Sequence, residues 1–116
     1  MITVYGIPNC GSVKKARTWL EQAGLSYHFH DFKKAGLDQA TIKAWLKHVT
    51  WETLINKKGT TWRGLSAAKQ ASVTNVSNAI ALMLENPSVI KRPVLCIDHH
   101  VLVGFDADLY QTTLHS

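Results

Sequence analysis

Val94-Leu95-Cys96-Ile97-Asp98 is a near-continuous apolar run in a chain of 116 residues. A strand of that composition belongs in the middle of a sheet covered on both faces, because one wet face would ask for alternation. The run therefore predicts a central strand, and the remaining elements have to supply its neighbours and its two covers.

Ile2-Thr3-Val4-Tyr5 reads as a first short strand. Gly6 to Ser12 is a loop dense in turn formers, and Ser12 or a residue just before it is placed to cap the next helix. That helix is expected over Val13–Ala23, with Val13, Ala16, Leu20 and Ala23 on one apolar face and Gly24 at the left-handed position beyond its end. Tyr27 to Asp31 alternates as a second strand, and Lys33 to Gly36 turns the chain. Asp38 can cap a helix presenting Ile42, Trp45, Leu46 and Val49, and Thr50 can cap a short turn, Trp51 to Ile55. Asn56 to Gly64 reads as a polar loop, Leu65 to Val73 as a weakly patterned helix, and Val76, Ile80, Leu82, Met83 and Leu84 as a stronger helix ending before Pro87. Val101-Leu102-Val103 follows the central run after His99-His100, the spacing of a tight hairpin. Asp106 opens a last helix with Ala107, Leu109, Tyr110 and Leu114.

The order is a βαβ half, a helical block over about 38–87, and a ββα half. It implies an α/β fold with a mixed sheet, since the first half supplies a parallel pair and the hairpin an antiparallel one. No linker rich in Gly, Pro and Ser interrupts the chain, so residues 1–116 read as one domain.

Composition narrows the function classes. Hydrophobic residues make up 46% and charged residues 18%, which argues against disorder. No apolar run approaches a membrane span, and the first residues lack a signal-peptide pattern, so a cytoplasmic protein without membrane partners is expected. The net charge of +5 favours anionic small molecules or an acidic partner. Lysines pair only at Lys14-Lys15, Lys33-Lys34 and Lys57-Lys58, and no Lys/Arg run is long enough for a nucleic-acid stripe. His28, His30, His48, His99, His100 and His115 match no metal-ligand spacing, so no metal and no bound cofactor are expected. Nothing in the pattern demands more than a monomer.

Two cysteines carry the chemistry to be weighed. Cys10 falls between a strand end and a helix start, where unpaired N–H groups stabilise a thiolate. Lys14 and Lys15 add positive potential, and Gly11 leaves room beside the sulfur. The competing reading is a buried, inert thiol. No Cys-x-x-Cys pair exists, because Val13 stands three residues after Cys10. A resolving thiol must come from outside or from Cys96, whose expected role is a small buried hydrophobe. Arg92-Pro93 precedes the central strand. Proline is tolerated at a strand start, where its bond can also be cis, and Arg92 offers a fork suited to an oxyanion or carboxylate.

The segments Thr3 to Cys10 with Lys14-Lys15-Ala16, the loop Asn56 to Leu65, and Ile90 to Leu95 together resemble the ArsC-related thioredoxin-like family. Its members include glutaredoxin-dependent arsenate reductases and Spx-type regulators. Gly59 to Arg63 and Ile90 to Cys96 resemble its YffB-type branch. The resemblance implies a thioredoxin-like fold with a mixed four-stranded sheet and a helical insertion. It makes Cys10 the nucleophile, Pro93 the cis-proline facing its loop and Arg92 the anion-binding arginine. Asn9, Gly11, Ser12, Lys14, Lys58 and Arg63 are further candidate substrate contacts. Arsenate reductases complete their oxyanion pocket with two more arginines. The counterparts here fall at Asn56, with Lys57, Lys58 or Arg63 as substitutes, and near Gly104. Losing two guanidinium forks weakens oxyanion binding, each being worth roughly 1.5–3 kcal/mol.

Three functions follow as expectations. The first is a thiol-dependent oxidoreductase with one active cysteine, using glutathione as co-substrate or a glutaredoxin as partner. The second is a non-enzymatic regulator of the Spx type that binds RNA polymerase. Trp45, Trp51 and Trp62 are its candidate contact residues, and core packing is the favoured role for them. The third is a true arsenate reductase with a pocket rebuilt from Lys58 and Arg63.

Overall fold

The computed structural model describes residues 1–114, so His115 lies outside the described residues. The described chain falls into two compact units, one of Met1–Ala35 with the residues from Arg92 onward, the other of Gly36–Lys91.

The first unit is a four-stranded mixed sheet in the order β2-β1-β3-β4 with helices α1 and α8, which is the thioredoxin-like arrangement expected. Here β1 is Ile2–Gly6, α1 Gly11–Gln22, β2 Tyr27–Asp31, β3 Val94–Ile97, β4 His100–Val103 and α8 Ala107–Leu114. The β1–β2 pair is parallel, and the β1–β3 and β3–β4 pairs are antiparallel. Register puts Val4 opposite Phe29 on one side and Leu95 on the other, with Leu95 opposite Leu102. This row shares a face, because strand side chains alternate with a period of two. Ala16 and Leu20 of α1 and Tyr110 of α8 close over it, with Val4, Ala16, Leu20, Leu95 and Tyr110 fully buried.

Several expectations shift. The cap of α1 is Cys10, in extended backbone with no side-chain cap bond, and Ser12 lies inside the first turn. Gly24 takes φ +73 after the helix end, as its position asked. The segment after β2 is a helical turn, α2 (Phe32–Ala35), because Phe32 is buried and pulls the chain in. The hairpin turn is Asp98-His99 and not His99-His100, since Ile97 pairs with His100. Asp98 takes φ +50, a conformation its short polar side chain tolerates. Cys96 is only partly buried, in a row with Thr3 and Val101 on the face away from Leu95.

The second unit is helical: α3 Gln39–Trp45, α4 Trp51–Leu54, α5 Thr60–Arg63, α6 Ala67–Ser72, α7 Val76–Glu85 and a 3-10 turn Pro87–Val89. Two of its helix starts follow the sequence signals. Asp38 accepts from the Thr41 N–H at 2.8 Å and Thr50 from that of Thr53 at 3.3 Å. The expected loop at Asn56–Gly64 contains α5, whose Trp62 is buried; that burial overrides weak local helix preference. Trp45 is also buried and Trp51 partly so, which makes two of the three tryptophans core residues. On α7, Ala79, Ile80, Leu82 and Met83 face inward, while Val76 and Leu84 are exposed.

Candidate active site

β1 ends at Gly6, the chain turns through Pro8 and Asn9, and α1 begins at Gly11. The turn is set by close packing. A Cβ on Gly6 would stand 2.7 Å from Val13 Cγ2, so only glycine lets the strand end lie against the first turn of α1. Cys10 is thereby held at the helix N-terminus, its carbonyl accepting from the Lys14 N–H at 2.9 Å. The sulfur is partly exposed.

Partial burial pushes the Cys10 thiol up and is the largest single influence on it. The Val13 N–H, the Arg92 guanidinium, through a hydrogen bond and its charge, and the Ser12 N–H together outweigh that cost. The net effect holds the thiol below its ordinary value. The expectation that helix amides favour the thiolate is met in the geometry. The charge acting on the sulfur is that of Arg92, whereas Lys14 and Lys15 are exposed and line a groove farther along α1.

Arg92 reaches the sulfur from the segment leading into β3, and the Arg92–Pro93 peptide bond is cis. The Pro93 carbonyl accepts from the Gly104 N–H at 2.8 Å. Gly104 is buried at φ +80, a conformation that suits glycine. The resemblance placed the counterpart of a missing pocket arginine near Gly104; that this glycine holds the Pro93 carbonyl was not read from the sequence. Its signal was a lone glycine closing a strand opposite the Arg-Pro dipeptide. Asn9, Gly11 and Ser12 are exposed around the sulfur's loop, and a Cβ on Gly11 would meet nothing within 4 Å.

Lys58 and Arg63 belong to the second unit. The Lys58 N–H donates to Asn56 Oδ1 at 3.3 Å, Lys57 Nζ lies 5.4 Å from the Trp62 ring centroid, and Arg63 ends α5 exposed. Among the described residues no three histidine, cysteine or acidic side chains gather as metal ligands. No helix there is long and apolar enough to cross a membrane.

Known proteins resemble this chain over nearly its whole length. The model of the ArsC family matches residues 5–113. An uncharacterised protein of Haemophilus influenzae is 40% identical, the match covering 96% of each chain. The solved structure of the YFFB protein superposes with a TM-score of 0.93 at 43% identity, covering 98% of this chain and 99% of that one. The global transcriptional regulator Spx 2 of Lactococcus lactis is 29% identical over 93% of this chain and 82% of its own.

Proposed function

This chain belongs to the ArsC family, and we propose that it works as a thiol-dependent oxidoreductase with Cys10 as its one nucleophile. The observation that carries the reading is a partly exposed sulfur that accepts from helix amides and from Arg92. The Cys10 thiolate attacks the glutathione sulfur of a mixed disulfide, forming a Cys10–glutathione bond and expelling the substrate thiolate, which takes a proton from water. A second glutathione, as thiolate, then attacks that bond, releasing glutathione disulfide and restoring the Cys10 thiolate. The net change is an exchange: one mixed disulfide and one glutathione thiol become one substrate thiol and one glutathione disulfide. Arg92 stabilises the anionic sulfur in both steps, and Asn9, Gly11, Ser12 and Lys14 form the rim that meets the glutathione carboxylates. A glutaredoxin could supply the resolving thiol in place of free glutathione, and a cytoplasmic setting would keep Cys10 reduced.

Mass spectrometry after glutathione disulfide tests the proposal. One glutathione on Cys10, absent from Cys10→Ser, supports it. No adduct, or a Cys10→Ser protein that still reduces mixed disulfides, overturns it.

The match to Spx 2 favours a second reading, a partner-binding regulator. The lack of a Cys-x-x-Cys pair counts against a redox switch of that kind. Retention of RNA polymerase from cell extract by Cys10→Ser protein as well as by the parent chain would favour the regulator. Arsenate reduction ranks last, because Asn56 and Gly104 stand where the resemblance calls for arginines. Turnover of arsenate with glutathione and glutaredoxin would restore it.

A further inference from the structure

A shallow groove of about 340 Å³ runs along α1, lined by Lys14, Lys15, Thr18, Trp19, Gln22 and Phe105. It begins one helical turn from Cys10, since the Lys14 N–H bonds the Cys10 carbonyl. A second hollow of about 240 Å³ continues it past Trp19 and Gln22 toward Ala23 and Gln111. Its apolar walls are fixed. Trp19 and Phe105 each meet the fully buried Tyr110 ring edge-on, at 5.5 and 5.0 Å between centroids. Its charge has one sign. The lining holds two lysines and no carboxylate, and Glu21, the acidic residue of α1, is bonded by Tyr27 Oη at 2.6 Å. From Lys14 to Gln22 the helix rises about 12 Å, the span of about four extended residues.

We propose that this groove binds an acidic, extended segment of a protein partner, with one apolar side chain seated between Trp19 and Phe105 and carboxylates on Lys14 and Lys15. This inference rests on the thiol-exchange reading, in that the segment would flank the disulfide offered to Cys10. The chemistry of the lining selects the occupant. A basic segment would meet two lysines without compensation, and a wholly polar one would leave the aromatic walls wet.

The test separates binding from chemistry by using Cys10→Ser protein labelled with nitrogen-15. The probes are a capped peptide with four aspartates around a Phe-Leu pair and its counterpart with four lysines. Expected are shifts of the Trp19 indole N–H and of backbone amides along α1 and at Phe105, with the acidic peptide only. Thr18→Glu and Gln22→Glu, both at exposed helix positions, should each weaken that binding roughly three-fold, and Gln22→Lys should tighten it by a similar factor. Retained dispersion in the variant spectra shows that they fold. Equal binding of both peptides, shifts confined to other surfaces, or no shift at millimolar peptide would overturn the groove assignment. None of those outcomes touches glutathione uptake by Cys10, which tests the underlying reading separately.

Discussion

The Arg92 side chain hydrogen-bonds the sulfur of Cys10, although 82 positions of sequence separate the two residues. The contact exists because β3 lies beside β1 in the sheet, which brings the segment before β3 to the loop after β1.

Removing that contact should slow the thiol at low pH. Arg92→Gln is expected to cut the rate of Cys10 alkylation by iodoacetamide at pH 6 about three- to ten-fold. That is the effect of losing a half-exposed charged hydrogen bond of about 1 kcal/mol. The two proteins should converge at high pH, where both thiols are ionised. A uniform ratio across the pH range would instead indicate a steric change.

The same thiol links stability to pH. Its value in the folded protein lies below the unfolded value, so the unfolded state binds more protons between the two. Stability from this group is therefore fully present above the unfolded thiol value and is lost as pH falls through the folded one. Urea unfolding of the reduced protein beside Cys10→Ser should show the parent gaining on the variant as pH rises through this window. A flat difference would remove the linkage.

Gly6 is needed for space and not for backbone freedom. Gly6→Ala should destabilise the fold by about 1–3 kcal/mol, because its methyl would overlap the Val13 side chain. Val13→Ala in the same chain should return part of that loss, since the two atoms in collision are then no longer both present. Simple additivity in thermal or urea unfolding would contradict the collision.

Tyr110 is fully buried, its hydroxyl has no protein hydrogen-bond partner among the described residues, and burial pushes it above the ordinary tyrosine range. Tyr110→Phe keeps the ring against Trp19 and Phe105 and removes only the oxygen. Stability should stay level or rise by up to about 1 kcal/mol. A loss above about 1 kcal/mol would reveal a bond made by that hydroxyl.

What the sequence determined by itself was local. The apolar run at Val94 marked the central strand, Gly24 the end of α1, and Asp38 and Thr50 two helix starts. Cys10 was legible as a candidate nucleophile because strand, turn and helix follow within a dozen residues, so the Val13 and Ser12 amides that act on its thiol are its own neighbours. The tertiary structure decided the rest. The choice of Arg92, and not Lys14 or Lys15, as the charge on the sulfur depends on strand order, which no short window of sequence encodes. Burial of Phe32 and Trp62 drew helical turns out of stretches whose composition reads as loop. The two aromatic walls of the groove, Trp19 and Phe105, both rest on Tyr110 from the last helix. Local signals set the elements because backbone geometry and capping act within a few residues; the site needed packing, which acts across the whole chain.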